Sequence, residues 1–404
     1  MIMNKSRYLF MMCILIGAGF SAYPQLVDTS FAGFKKYILS NDFISEGVAA
    51  GDVNNDGKID VLAGSYWFEA PSWKRHQLAE GKTYEVKTQY SRSFIDHCMD
   101  VNLDGWNDLI VVDFPGMSAS WFENPKNKEG YWTKHLIYET VGNESPAFVD
   151  VDGDGRADLI CADSKQRQMV WLQSPTTKGG TEWKKFPVSV TNPAGTDIFS
   201  HGLGFGDVNK DGKKDLIIKN GWWEGPADPK KPNWKFHPAD IGEDCSQMYA
   251  LDVNGDGLPD VISASAHKYG IWWHEQSRDD QGLPAWDHHT ISYSSSQTHA
   301  VAMADFNSDG NPDFVTGKRY LAHLEHTNPS NKSTIDPGTY DKPAIYWFEF
   351  TPGKKPYWIE HKIDDDSGVG INLVAQDITG DGLPDIIVAN KRGVFVFENL
   401  MKKK

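Results

Sequence analysis

Along this chain a run of alternating acidic and amide residues returns seven times, each time between apolar stretches. The copies are DVNNDGKID from Asp52, DVNLDGWND from Asp100, DVDGDGRAD from Asp150, DVNKDGKKD from Asp207, DVNGDGLPD from Asp252, DFNSDGNPD from Asp305 and DITGDGLPD from Asp377. A small or apolar stretch leads in, as VAA does before Gly51. A β-branched run follows, such as LIVVD, LIIKN or IIVAN, and then an aromatic run such as YWFEAP, GWWEGP or VFVFEN. Six copies add a segment that opens on Trp: WKRHQL, WTKHLI, WKKFPV, WKFHPA, WDHHTI and WIEHKI. Short β-rich runs broken by Gly, Asp and Pro predict antiparallel strands. Four of them in a unit of roughly 50 residues predict a propeller blade.

The last unit ends near Asn399 without a fourth run, but FKKYIL at 34–39 matches WKKFPV at 183–188. The expected fold is therefore all-β: a seven-bladed β-propeller of four-stranded blades over residues 34–400, in which the N-terminal strand completes the last blade. Such a ring has no open end to pair with other chains.

D-x-[DN]-x-D-G-x-x-D puts oxygen ligands at positions 1, 3, 5 and 9, with Gly at 6 for a sharp turn. Hard oxygens in a tight loop suit Ca²⁺. The expected ligands are Asp52, Asn54, Asp56 and Asp60; Asp100, Asn102, Asp104 and Asp108; Asp150, Asp152, Asp154 and Asp158; Asp207, Asn209, Asp211 and Asp215; Asp252, Asn254, Asp256 and Asp260; Asp305, Asn307, Asp309 and Asp313. This is no EF-hand, because position 12 after Asp52 is Ala63 and not Glu. The Asp377 loop fits least, since Thr379 stands at position 3. The alternative for any loop is closure by Asp-to-backbone hydrogen bonds alone.

Composition narrows the partners. The chain has 404 residues, 40% hydrophobic and 12% aromatic, enough for a large core, and a formal charge of −15. That charge disfavours nucleic acid. Lys5 and Arg7 precede an apolar run, Tyr8 to Phe20, with small residues at Ser21 and Ala22. This predicts a signal peptide over 1–22 and an exported protein without a stable membrane span after cleavage. Cys98, Cys161 and Cys245 then remain and form no disulfide framework.

Residues that break the repeat carry the candidate chemistry. Six before each loop stand Glu46, Phe94, Glu144, His201, Ser246, His299 and Ile371. Strand alternation puts them at one mouth of the wheel, opposite the acidic loops. The turns between second and third strands share that face and bring His267, Lys318, Arg319 and His323. A long turn at about 318–343 is placed to cover it. His76, His135, His237, His289 and His361 recur in W-x-x-H and read as structural. His97, His201, His267, His299 and His323 do not recur and map to the mouth.

Two chemistries fit. Neutral imidazoles and a carboxylate bind Zn²⁺, with His97, Glu144, His201 and His299 as candidate ligands. His and Tyr also serve as base and acid beside a carbonyl, with Arg steadying the enolate; His201, Tyr249, His267, His299, Arg319 and His323 are the candidates.

The acidic repeat resembles the FG-GAP or VCBS family, whose calcium loops join the first two strands of each blade. HGLGFGDVNKDGKKD with GWWEGP, SQMYALDVNGDGLPD with SAHKYGIWWHEQ, and SQTHAVAMADFNSDG with TGKRYLAH resemble the propeller domain of aldos-2-ulose dehydratase/isomerase. That resemblance implies zinc in a propeller cleft and elimination of water from keto-sugars, with His201 and His299 as metal or acid/base residues. The expected function is an exported lyase or dehydratase acting on a keto-sugar or uronate. The alternative is a non-catalytic, calcium-stabilised propeller that binds glycan or protein.

Overall fold

The computed structural model describes residues 26–27, 33–323 and 336–402. The expected signal peptide and part of the long turn at about 318–343 lie outside them. The described residues are all-β, and their strands follow the repeat closely. In the unit of the Asp52 loop the strands are Ala49–Gly51, Asp60–Ala63, Tyr66–Glu69 and Lys74–Gln77, paired antiparallel in that order. In the Asp207 unit they are Leu203–Gly206, Asp215–Ile218, Gly221–Glu224 and Lys235–Pro238. Numbered by their loops from Asp52 to Asp377, the units all form four-stranded meanders. The seventh takes its outer strand from Phe34–Ser40, which pairs with Gly393–Asn399.

Hydrogen bonding joins these meanders into five sheets of four to eight strands, for two local reasons. The long strand Thr133–Val149 closes unit two and opens unit three without a break. Leu203 and Gly204 of unit four pair in parallel with Gln247 and Met248 of unit five. Glycine permits that approach: a Cβ on Gly204 would stand 2.6 Å from the Met248 carbonyl oxygen, and one on Gly202 would overlap Cys245 Sγ.

Apolar cores lie between neighbouring meanders. Leu62 and Leu78 meet Leu109 and Trp132 between units one and two. Trp121 meets Leu159 and Cys161 between two and three, and Trp171 meets Leu216 and Trp223 between three and four. Trp222 and Val261 join four to five, Trp273 and Phe314 five to six, and Trp347 and Ile386 six to seven. Ile387, Val394 and Val396 of unit seven pack on Ile44, Val61 and Phe68 of unit one. At the inner edges, Asn372 of unit seven bonds the backbone of Val48 and of Asp96. Gln247 bonds Val301 and Ile371.

The aspartate at position 9, expected as a ligand, also has a structural role. Asp60, Asp108, Asp158, Asp215, Asp260, Asp313 and Asp385 are wholly buried. Each carboxylate takes a backbone N–H at position 2 of its own loop on one oxygen. The other oxygen takes an N–H from the end of the third strand or the residue just past it; in unit four Val208 and Gly225 donate to Asp215, both at 2.8 Å. Two buried amides would otherwise lack partners, so the residue clamps loop to strand. The aspartate at position 1 accepts from the Gly at position 6, as Asp207 does from Gly212 at 2.9 Å. Hydrogen bonds thus close every loop. Carboxylate oxygens of Asp150, Asp152 and Asp158 also lie within 4.8 Å of one another.

The W-x-x-H histidines share one geometry. His237 stacks on Trp222 at 4.1 Å and bonds Glu224 at 2.7 Å. His76, His135, His289 and His361 repeat this with Glu69, Glu123, Glu275 and Glu349.

Candidate metal centre

Four side chains from three units converge. Ligand atoms of Glu144, His201, His299 and His323 lie within 4.8 Å of one another. Glu144 sits in Thr133–Val149 where the register slips between Gly142 and Ala147. Such a bulge re-aims a side chain, and here it is pinned by the Glu144 N–H on the Ser200 carbonyl at 2.8 Å. His201 follows directly in the segment that supplies Ser200. His299 lies between the strands Pro284–Ser296 and Val301–Ala304, and His323 in the turn after Asp313–Gly317.

Glu144, His201 and His299 are buried. Glu144 Oε2, His201 Nε2 and His299 Nε2 have no hydrogen-bond partner. Glu144 Oε2 and His201 Nε2 face each other at 3.4 Å, an ion-pair distance without hydrogen-bond alignment. Buried polar atoms are rarely left bare. The Nδ1 atoms, by contrast, are occupied. His299 Nδ1 meets the Gln297 carbonyl at 3.0 Å. His323 Nδ1 and His267 Nδ1 meet Asp336 Oδ2 at 2.9 and 3.0 Å. With Nδ1 donating, Nε2 carries the lone pair, the arrangement in which histidine binds metals. Three imidazoles and one carboxylate fit a divalent transition ion.

His267 completes the cluster. It stacks on His323 with ring centroids 4.5 Å apart, and stands 4.5 Å from His201. Its side chain is 32% exposed, against 15% for His323, whereas Glu144, His201 and His299 are buried.

Charge in the cluster is uneven. Burial resists ionisation of Glu144, but the facing His201 outweighs it and holds the carboxyl at about 2. Burial likewise opposes a charged His201, yet Glu144 raises its pKa. Burial and the Arg319 charge push His299 well below the ordinary histidine range, and burial takes His323 down to about 4. Arg319 is wholly buried, bonds Glu46 through Nη2 and lies over the rings of Tyr90 and Phe94. Its Nε and Nη1 have no partner. Burial brings Lys318 down to about 7, and its ammonium bonds Gln297 Oε1.

A pocket of about 640 Å³ opens against His201, lined also by Ser164, Arg167, Phe199, Lys219, Asn220 and Asp244. Phe199 is 55% exposed there. Arg167 pairs with Asp197 and Lys219 with Asp244.

Two expected residues stand elsewhere. His97 stacks on Phe148 at 4.5 Å, and burial pushes it down to about 4. Its place in the strand Ile95–Met99 points it at the unit-three core, and His323 takes the position assigned to it. The Tyr249 hydroxyl bonds the Val301 carbonyl at 2.8 Å and ties unit five to unit six. Burial pushes that phenol up, so it is a poor acid. Sequence reading missed Asp336 and Gln297. The only signal for Asp336 was the length of its turn. Gln297 gave none, because its role rests on a backbone carbonyl.

Among known proteins, a family model described as "FG-GAP-like repeat" matches residues 100–161, 150–218 and 252–316. No curated protein matches the chain in sequence. Among solved structures, rhamnogalacturonan lyase YesW is similar at 12% identity and TM-score 0.48, over 95% of this chain and 76% of that one. An Agrocybe aegerita lectin, described as recognising non-reducing terminal N-acetylglucosamine, is similar at 14% and 0.33, over 86% and 78%. The BBS1N chain of a complex with ARL6DN is similar at 9% and 0.49, over 94% and 99%. At these identities and scores no substrate transfers to this chain. Among the described residues no helix is long and apolar enough to cross a membrane. The matched stretches span the loops and inner strands of units two to six, and over residues 100–218 and 252–316 the chain is similar to FG-GAP-like repeats.

Proposed function

We propose that this chain is an exported, metal-dependent carbon–oxygen lyase acting on a carbohydrate, built as a seven-bladed propeller. The closed order of shared cores, with the seventh unit packed on the first, supports the ring. Closing a ring brings the inner ends of distant units together, which is how Glu144 and His299 come to be neighbours.

The observation that carries the functional reading is the trio of bare, buried atoms on Glu144, His201 and His299, joined by His323. A divalent transition ion bound there, Zn²⁺ by the ligand set, would polarise a sugar carbonyl or carboxylate and acidify the neighbouring C–H. The chain's own groups supply the remainder. Asp336 holds His267 by Nδ1, so its Nε2 is placed to take that proton. The imidazolium so formed can return the proton to the departing hydroxyl, which leaves as water. Arg319, held by Glu46, acts by its charge on Glu144 and His299. The pocket beside His201 offers donors, acceptors and an exposed ring, the mixture that a sugar requires. The resemblance of HGLGFGDVNKDGKKD and its companions to the dehydratase propeller points the same way.

The acidic loops belong to the scaffold in this reading. Ca²⁺ is assigned first to the loop of Asp150, Asp152 and Asp158, where three carboxylates already meet.

Metal analysis of the purified protein, with an ultraviolet assay for unsaturated product on keto-sugars and uronans, tests the reading. Bound zinc, and elimination that fails in Glu144→Gln and on chelation, is the expected result. A metal-free protein inert on the whole panel would refute it.

A further inference from the structure

Asp336 lies outside the proposed ligand set, yet one of its oxygens reaches three side chains. Oδ2 stands 2.9 Å from His323 Nδ1, 3.0 Å from His267 Nδ1 and 3.4 Å from Gln297 Nε2. An ionised carboxylate only accepts. Both rings must therefore carry a proton on Nδ1, and both turn Nε2 away from Asp336. The two rings stack at 23°, so one carboxylate sets the plane of both.

The carboxylate is itself fixed. The Asp336 carbonyl accepts Thr339 Oγ1 at 2.8 Å and the Thr339 N–H at 3.2 Å. Gln297 is wholly buried and adopts φ 52°, a left-handed conformation that a residue with a side chain holds only when its surroundings demand it. Its Oε1 is held by Lys318 and its carbonyl by His299 Nδ1. Gln297 and Asp336 together orient three imidazoles.

We propose that Asp336 is a positioning residue serving both halves of the site: it presents Nε2 of His323 to the metal and Nε2 of His267 to the substrate. This rests on the metal reading above. The competing assignment makes Asp336, His267 and His323 a second metal site, since their ligand atoms also lie within 4.8 Å of one another. Two metals would require Nδ1 to lose its proton, which forfeits the bonds just described.

The test uses Co²⁺ as a visible probe. The full chain is stripped with a chelator and titrated with Co²⁺, as wild type, Asp336→Asn, Asp336→Glu and Glu144→Gln. One Co²⁺ per wild-type chain is expected. Asp336→Asn should keep that stoichiometry, weaken affinity on the order of 10–100-fold and change the visible bands. The metal-free variant should melt like wild type, and Asp336→Glu should recover part of the affinity. Wild-type affinity and bands in Asp336→Asn would overturn the proposal. So would two Co²⁺ per wild-type chain falling to one in that variant, which would make Asp336 a ligand. If Glu144→Gln abolishes binding while Asp336→Asn keeps wild-type affinity and bands, only this inference fails. If Glu144→Gln binds as wild type does, the metal reading fails with it.

Discussion

Asp215 tests whether the ninth position of the loop is a clamp or a calcium ligand. Its carboxylate is fully buried and holds the amides of Val208 and Gly225, each at 2.8 Å. Asp215→Ala strands both amides where water reaches poorly. Each orphan costs about 1–3 kcal/mol, so the pair costs about 2–6 kcal/mol. Relaxation of the loop moves the result toward the lower end, and the small cavity left by the carboxylate moves it back. Thermal and urea unfolding of wild type and variant measure the difference, run with Ca²⁺ and with a chelator. A clamp gives nearly the same deficit in both, because its partners are backbone. Its pH dependence has a definite sign. Burial pushes Asp215 up from 3.8 to about 6. The folded protein then holds the proton more tightly than the unfolded chain does. The wild-type advantage over Ala is therefore greatest below about 4 and declines as pH rises through about 6. Equal stability of the two proteins in chelator would refute the clamp.

Other consequences can be checked in the same way. His274 is buried against His288 and Ser263 Oγ, and burial first, then His288, takes it from 6.5 down to about 3. Its contribution is present above the ordinary histidine range and is lost as pH falls from 6.5 toward 3, so His274→Gln should flatten the acid limb of an unfolding-versus-pH curve. Removing the outer-strand histidine in His237→Ala should cost about 1 kcal/mol in urea unfolding, through its bond to Glu224 and stack on Trp222, and leave metal content unchanged. Gly202→Ala places a methyl group against Cys245 Sγ at φ +85°; it should lower the melting temperature and, by displacing His201 next door, also reduce bound metal.

The sequence disclosed the scaffold because the scaffold repeats. Seven loops in register, each followed by the same run of strands, predicted every meander, including the Phe34–Ser40 strand that closes the last. The site was legible in part, and for a definite reason. His201 and His299 break a repeated pattern at equivalent positions, so their convergence followed from the period alone. His97 broke the pattern too, but it lies three residues past the equivalent position, Phe94, an odd offset that turns its side chain to the other face, where it meets Phe148. Side-chain direction has period 2, and a shift of that size exceeds what an unaligned loop boundary can fix. Tyr249 is likewise turned away from the cluster's ligand atoms, bonding across to the Val301 carbonyl. Asp336 and Gln297 had no period to be read from. One belongs to an insertion, and the other acts through a carbonyl that every residue possesses.

The equivalent positions explain why the centre is lopsided. Glu46, Phe94, Glu144, His201, Ser246, His299 and Ile371 are all buried at the same point of their units. Changing the residue type there alters the chemistry of the cluster without disturbing a strand ladder. Units three, four and six have Glu144, His201 and His299 at this point, and unit two has Phe94 and unit seven Ile371. Unit one has Glu46, which is spent on Arg319 and not on the ligand group. The apolar side is therefore the side on which Arg319 lies over Phe94 and Tyr90, out of water. A guanidinium placed there stays charged, and Glu46 offsets part of the penalty of burying it. Removing that carboxylate in Glu46→Gln should leave Arg319 buried and uncompensated, which costs about 3–5 kcal/mol when one partner of a buried pair is lost. The same change strengthens the positive field at His299 and Glu144, so metal affinity should fall along with stability. If Glu46→Gln destabilised the fold but bound metal with wild-type affinity, Arg319 would be a structural cation whose charge does not reach the site.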